Sequence, residues 1–311
     1  MDHLLGIEPL GREEVEELLS LSESFEGLDL REVKKVPTLR GRTVLNLFME
    51  PSTRTRSSFE LAAKRLSADV LNFSASGSSL EKGESFKDTV LTLAAQRPDL
   101  IVVRAPWVGA AALVARWSGA HVVNAGDGGH EHPTQALLDL YVLKQRFGRL
   151  EGLSVWVVGD IAHSRVARSL VLALVKVGAA VTVCGPPTLV PPAVERLGAT
   201  VTYTLEGVGE ADAVYALRLQ RERMAELPLP SLREYASRYQ IDRGRLRPGQ
   251  LLLHAGPVNR GVEVEGRLVD QPQAAVLDQV RAGVAVRMAV LYRLLAGQQA
   301  RVAAGTAEGV A

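Results

Sequence analysis

Thr43-Val-Leu-Asn-Leu-Phe-Met-Glu-Pro-Ser-Thr-Arg-Thr-Arg-Ser-Ser-Phe-Glu60 changes its period in the middle. Thr43–Met49 is a β-rich apolar run, and the residues after Pro51 read as a helix over 53–66 opened by hydroxyl side chains. The same alternation continues on the C-terminal side. Asp69–Phe73, Leu100–Arg104 and His121–Asn124 are short β-rich runs, and Phe86–Gln96 and Ala110–Ser118 between them have helical character. Strand and helix in strict alternation predict right-handed βαβ units on a parallel sheet.

Outward from this core the pattern repeats. Upstream, Val15, Leu18, Leu19 and Phe25 fall near helical spacing behind Glu13 and Glu14, an amphipathic opening helix. Downstream, Pro133 begins a helix that ends at Phe147-Gly148, with the glycine as its C-cap. Five more strands are expected at Leu153–Gly159, Ala180–Cys184, Thr200–Thr204, Asp212–Tyr215 and Leu251–His254, again with helices between them. A last helix, Gln273–Leu295, is long enough to return to the first half, and 303–309 reads as a frayed end. The expected fold class is α/β, with two parallel-sheet domains linked by helices. The first covers 1–147, with a C-terminal helix at about 285–300 packing back onto it, and the second covers 148–284.

Composition narrows the function. The 311 residues are 47% hydrophobic and 23% charged, which excludes a disordered tail, a collagen-like repeat and a disulfide scaffold. A net charge of +1 offers no global field for nucleic acid or an anionic membrane, so neither is expected as a partner. Cys184 is the single cysteine; it excludes an internal disulfide and suits a reducing compartment. Met1–Leu10 has neither the basic start nor the apolar core of a secretory signal. Leu170–Val183 is interrupted by Lys176 and Gly178 and is too short to span a bilayer. The cytoplasm is the expected location.

Chemistry concentrates in Ser52–Arg56. Ser52, Thr53 and Thr55 supply hydroxyls, the helix start supplies unpaired N–H groups, and Arg54 and Arg56 add full charge. Together they predict an anion site, against the plainer reading of a Ser/Thr cap with Arg56 and Glu60 paired along the helix. No G-x-x-x-x-G-K-[ST] occurs, so this is not a P-loop. His130 and His132 beside Asp127 have no third ligand at zinc-like spacing, and no metal is expected. Gly159-Asp-Ile-Ala-His-Ser164 lacks G-x-G-x-x-G and reads as a tight strand-to-helix turn, so no nicotinamide or other cofactor is expected.

At Ser52-Thr-Arg-Thr-Arg56 the chain resembles the aspartate/ornithine carbamoyltransferase family, and further similar segments follow in order. Ser78-Ser-Leu-Glu-Lys82-Gly-Glu84 is similar to the family's lysine loop, Arg104 to its carbonyl-contacting arginine, and His132-Pro-Thr-Gln135 to its His-Pro-x-Gln signature. Gly159-Asp160 with Arg165, the Arg218–Arg223 run and His254-Ala-Gly-Pro257 complete a resemblance that spans nearly the whole chain. Within the family, Lys82-Gly83-Glu84 and Arg218-x-Gln220-x-Glu222-Arg223 look like the aspartate branch. An ornithine enzyme typically carries a His-Cys-Leu-Pro loop, and Cys184 lies elsewhere. Ala255 departs from the proline that many aspartate enzymes have there.

The resemblance implies transfer of the carbamoyl group of carbamoyl phosphate to L-aspartate, an early step of de novo pyrimidine (UMP) biosynthesis. It makes 1–147 the carbamoyl-phosphate-binding domain and 148–284 the aspartate-binding domain. It assigns catalysis to Arg54, Thr55, Arg104 and His132. Carbamoyl phosphate is assigned to these four together with Ser52, Thr53, Gln135, Gly256 and Pro257, and aspartate to Lys82, Arg165, Arg218 and Gln220. It also implies a homotrimer with shared active sites, in which Lys82 and Ser78 or Ser79 serve the neighbouring chain. Regulatory or dihydroorotase-like chains are the partner classes it leaves open. The competing readings are a carbamoyltransferase for another amino acid, a non-catalytic scaffold, and an anion-binding regulatory module that binds phosphate without turnover.

Overall fold

Strands whose residues are apolar at every position, not at alternate ones, need cover on both faces, and a parallel sheet between helices provides it. Nine strands and eight α-helices occur among the described residues, which are 1–74, 83–224, 229 and 231–296 of the computed structural model. The chain forms two compact units. One comprises the described parts of Met1–Ile7, Glu13–Thr134 and Ala282–Ala311, the other those of Glu8–Arg12 and Gln135–Arg281.

The first unit holds β1 (Thr43–Phe48), β2 (Asp69–Ser74), β3 (Leu100–Ala105) and β4 (His121–Asp127), all parallel, in the order β2-β1-β3-β4. The helices α1 (Arg12–Ser24), α2 (Thr53–Arg65), α3 (Phe86–Ala94) and α4 (Ala110–Ser118) belong with it. Leu45, Leu47, Ile101, Val103 and Val122 form one buried layer with Val90 of α3 and Val114 of α4. Leu4 pairs with Val123 at the outer edge of β4, so the N-terminal segment covers a sheet edge.

Next come α5 (Pro133–Phe147), β5 (Ser154–Val158), α6 (Arg165–Lys176), β6 (Ala180–Cys184), β7 (Thr200–Thr202), β8 (Ala213–Ala216), α7 (Leu232–Tyr239), β9 (Leu251–Leu253) and α8 (Val276–Leu295). The second sheet is also parallel, in the order β7-β6-β5-β8-β9. The nine expected strands all form, most of them within two residues of their expected ends. The connections β6 to β7 and β7 to β8 differ from expectation: they carry only the single 3-10 turns Pro187–Leu189, Val194–Leu197 and Val208–Glu210. Pro186, Pro187, Pro191 and Pro192 lack N–H donors, and Gly198 and Gly207 sit at φ 92° and 87°, so no longer helix can propagate there.

Both strand orders contain one reversal. In the first unit the chain steps from β1 out to β2 and returns to the other side of β1 as β3. In the second it steps from β5 through β6 to β7 and returns beside β5 as β8. The loops leaving β1 and β3, and those leaving β5 and β8, therefore diverge at the carboxyl ends of their sheets and open a crevice in each unit.

Candidate active site

At the first crevice, Glu50 and Pro51 lead from β1 to Ser52. Ser52 caps α2 with an extended backbone (φ −160°, ψ 95°) and makes no side-chain cap hydrogen bond. The first turn of α2 holds no acidic residue, Thr53 and Arg54 are exposed, and Thr55 is buried. Hydroxyls, helix N–H groups and a guanidinium thus gather in one place with no carboxylate in that turn to neutralise them. The helix is seated by Phe59, which is wholly buried. Arg287 donates to Ser58 Oγ at 2.8 Å and places its guanidinium 5.1 Å from the Phe59 ring centre.

Arg104 occupies the β3 position opposite Phe48, on the other side of the same crevice. Its Nε lies 2.9 Å from Glu50 Oε1 and its Nη1 donates to the Ala125 carbonyl at 3.3 Å. The Glu50 contact holds the guanidinium beside the loop that leaves β1; no motif in the sequence announces it.

His132 is buried at the mouth of α5, and the turn before it is closed by one carboxylate. Asp127 Oδ1 accepts from Asn124 Nδ2 at 2.8 Å and from the Glu131 N–H at 3.1 Å. Its Oδ2 accepts from the Gly109 N–H at 2.8 Å and lies 3.1 Å from His130 Nδ1. The Glu131 carboxylate accepts the Ile7 N–H at 2.7 Å, and a methyl group on Gly6 would overlap it. Asp127 and His130 thus serve as hydrogen-bonding partners inside a turn. Among the described residues no three His, Cys, Asp or Glu side chains gather as a metal site.

The second crevice is built around Asp160, which is fully buried. Its Oδ1 accepts from the His163 N–H at 3.2 Å and lies 2.8 Å from His163 Nδ1, while Oδ2 accepts the Gln220 N–H at 3.0 Å. One carboxylate therefore ties the loop after β5 to the loop after β8. Gly159, at φ 131°, brings the two together: a Cβ there would meet the Leu217 carbonyl at 2.9 Å and Tyr235 Oη at 3.0 Å. Burial, with Glu263 and Asp160 nearby, raises the Tyr235 phenol far above its ordinary range and keeps it neutral. Arg165 is buried in the first turn of α6, whose cap Ser164 accepts from the Ala167 N–H at 3.2 Å. Arg218 Nη2 donates to Gln220 Oε1 at 3.1 Å, and Arg223 donates to the His163 carbonyl at 2.8 Å. Arg165 thus opens the helix that follows β5, and Arg218 and Gln220 lie on the loop after β8 that Asp160 ties to the loop after β5.

Gln135 and the loop after β9 lie on the same unit. Gln135 Nε2 donates to Asp139 Oδ1 at 3.0 Å. Gly256, at φ 67°, and Pro257 are joined by a cis peptide bond, and the Gly256 N–H donates to His254 Nδ1 at 2.8 Å. That contact leaves the His254 proton on Nε2, which faces Glu263 Oε1 at 3.3 Å. Lys82, Ser78 and Ser79 lie outside the described residues, as does 303–309. Asp127, Asp139, Glu263 and Gln279 carry no local motif that assigns them a supporting role, and the turn read at Gly159–Ser164 does not reveal the bond from Asp160 to Gln220.

Two family models account for the chain: the aspartate/ornithine carbamoyltransferase carbamoyl-P binding domain over residues 2–145, and the Asp/Orn binding domain over residues 151–294. The chain belongs to the aspartate/ornithine carbamoyltransferase family. It is 52% identical over 301 residues to the aspartate carbamoyltransferase catalytic subunit of Syntrophotalea carbinolica, covering 96% of each chain. The corresponding protein of Salinispora arenicola is 57% identical over 274 residues, covering 86% of this chain and 89% of its own. Among solved structures, aspartate transcarbamoylase from Trypanosoma cruzi in complex with N-(phosphonacetyl)-L-aspartic acid matches with TM-score 0.86 and 31% identity, covering 94% of this chain and 96% of that one. The catalytic subunit of M. jannaschii aspartate transcarbamoylase matches with TM-score 0.85 and 34% identity over 96% and 99% of the two chains. This carbamoyltransferase chain therefore shares both domains of the family, and its two crevices fall one in each matched domain.

Proposed function

We propose that the chain transfers the carbamoyl group of carbamoyl phosphate to the amine of L-aspartate, giving N-carbamoyl-L-aspartate and phosphate, an early step of de novo pyrimidine biosynthesis. The observation that carries the reading is the contrast between the two switch-point crevices. The first offers a helix N-terminus with Ser52, Thr53, Arg54 and Thr55 beside Arg104, which suits a phosphate. The second offers Arg165 and Arg218 with Gln220, which suits a dicarboxylate. The names of the similar proteins support the same substrates.

In this reading Ser52, Thr53, Arg54 and Arg104 hold the phosphate, and Thr55, Arg104 and His132 donate to the carbamoyl oxygen as it becomes an oxyanion. The neutral amine of aspartate attacks the carbamoyl carbon, the bond to the phosphate oxygen breaks, and the amine proton leaves with the phosphate. No protein nucleophile takes part; most of the rate comes from holding two anionic substrates together and stabilising charge. His132 acts as a donor and has no need to titrate. Lys82 completes the dicarboxylate site from a neighbouring chain of a homotrimer, and the enzyme works in the cytoplasm.

A phosphonate joined through an acetyl linker to aspartate tests this reading by calorimetry. It fills both anion sites at the entropic cost of one association, so it binds orders of magnitude more tightly than phosphate or aspartate. Binding no tighter than phosphate overturns the reading.

A further inference from the structure

A chain of buried hydrogen bonds joins Gln135 to the Gly256–Pro257 loop, and none of the substrate-binding roles assigned above uses it. Asp139 Oδ1 accepts from Gln135 Nε2 at 3.0 Å and from Gln279 Nε2 at 2.7 Å. Gln279 Oε1 accepts the His254 N–H at 2.9 Å, and His254 Nδ1 accepts the Gly256 N–H at 2.8 Å. Beyond His254, Glu263 Oε1 accepts the Asn259 N–H at 2.6 Å and closes the loop. Asp139 is fully buried, and His254, Glu263 and Gln279 are at most 2% exposed. The phenol of Tyr215 lies against Asp139 and is also fully buried.

The direction of these bonds carries information. A carboxylate accepts and does not donate, so both amides must turn their NH2 groups toward Asp139. That orientation commits the Gln135 oxygen to the other side, where it can only accept. The Gly256 N–H is likewise consumed by His254, so this loop presents carbonyl oxygens. The Gln135 oxygen and the carbonyl oxygens of the loop are acceptors, and the ligand group that complements them is a neutral NH2 with two protons to give.

We infer that Asp139 and Gln279 are positioning residues that make this family member select carbamoyl phosphate over acyl phosphates lacking an NH2 group, by fixing the Gln135 amide and the 254–257 loop as acceptors. The inference rests on the reading above and extends it to the origin of donor specificity. Asp139 and Gln279 touch no reacting atom in this account. They act through Gln135 and through the backbone of Gly256 and Pro257. A site whose acceptors are held in place rejects a methyl group because the bound ligand would take water from those acceptors and give no donor in return.

The test measures three binding constants on purified full-length chain: carbamoyl phosphate, acetyl phosphate and inorganic phosphate. In Asp139→Asn, which keeps the shape of the side chain, the Gln135 amide is free to turn over. Carbamoyl phosphate then weakens by about tenfold or more, while phosphate and acetyl phosphate change less than about twofold. Gln279→Met, close in volume, removes the donor to Asp139 together with the acceptor for the His254 N–H, and it shows the same selective loss. It decides the question if Asp139→Asn does not fold. Parallel weakening of all three ligands, or unchanged carbamoyl phosphate binding, overturns the inference. Wild-type enzyme measured alongside keeps the two claims separate: if it forms no carbamoyl aspartate the functional reading fails, and if it turns over while the variants keep full discrimination only this inference fails.

Discussion

The buried carboxylate of Asp160 accepts the backbone N–H of Gln220 at 3.0 Å, across 60 residues of sequence. Together with the Arg223 bond to the His163 carbonyl, it holds the loop after β8, with Arg218 and Gln220, against the loop after β5. In Asp160→Ala the Gln220 and His163 N–H groups lose their acceptor, at about 1–3 kcal/mol each where they stay buried. The expected outcome is a raised KM for aspartate and a kcat/KM lower by about tenfold to a hundredfold, with the inhibition constant of phosphate unchanged. Steady-state kinetics with both substrates varied checks it.

Arg218 contributes a charge-assisted contact to a substrate carboxylate. Arg218→Ala should weaken aspartate by roughly 2–4 kcal/mol in kcat/KM while leaving carbamoyl phosphate affinity nearly intact. Equal loss for both substrates would place Arg218 outside the aspartate site and reopen the choice of amino-acid substrate.

Much of this is legible in the sequence because the signals are local. Apolar runs such as Thr43–Phe48 and Ser154–Val158, broken by glycine and cap residues, mark strands without reference to anything distant. Ser52–Thr55 and His132–Gln135 are contiguous, so their motifs survive reading in one dimension. The supporting groups are not contiguous. Gln279 meets Asp139 from 140 residues away, and Asp160 meets Gln220 from 60. Neither pairing leaves a periodic or compositional trace. Asp127 is visible beside His130, but only the fold shows its oxygens taken up by Asn124, Gly109 and Glu131. Alternation of elements predicts helices from β6 through β8, and the prolines before β7 and Gly207 at positive φ after it cannot sustain them.

The cysteine gives a prediction in pH. Burial raises the Cys184 thiol from 9.0 to about 12, with Arg245 pulling weakly the other way. Below pH 9 the folded and unfolded chains both keep the proton and the group contributes no pH dependence. Between pH 9 and 12 the unfolded chain releases it and the folded chain does not, so stability falls as pH rises. Cys184→Ser should therefore lose less stability than the parent between pH 8 and 10.5, by about 2 kcal/mol or less. Urea unfolding at the two pH values measures the difference; identical slopes would contradict the assignment.

The shared-site reading is tested by mixing. Lys82→Ala and Arg54→Ala chains, each inactive alone, are allowed to reassort into trimers. Every mixed trimer has one interface in three where an intact Lys82 meets an intact Arg54, so equal mixing restores about a quarter of wild-type sites. Persistent inactivity, with reassortment verified by native mass, would show that both residues serve the same chain's site.

The central claim is that this chain joins carbamoyl phosphate to aspartate, and product formation measures it most directly. Purified chain is incubated with carbamoyl phosphate and, in parallel, with aspartate, ornithine or N-acetylornithine, and the carbamoylated amino acid and phosphate are quantified together. The account predicts N-carbamoyl-L-aspartate and phosphate in equal amounts, with no product from the other two amines. Carbamoylation of ornithine or N-acetylornithine in preference to aspartate, or phosphate binding with no carbamoylated product at all, would contradict it.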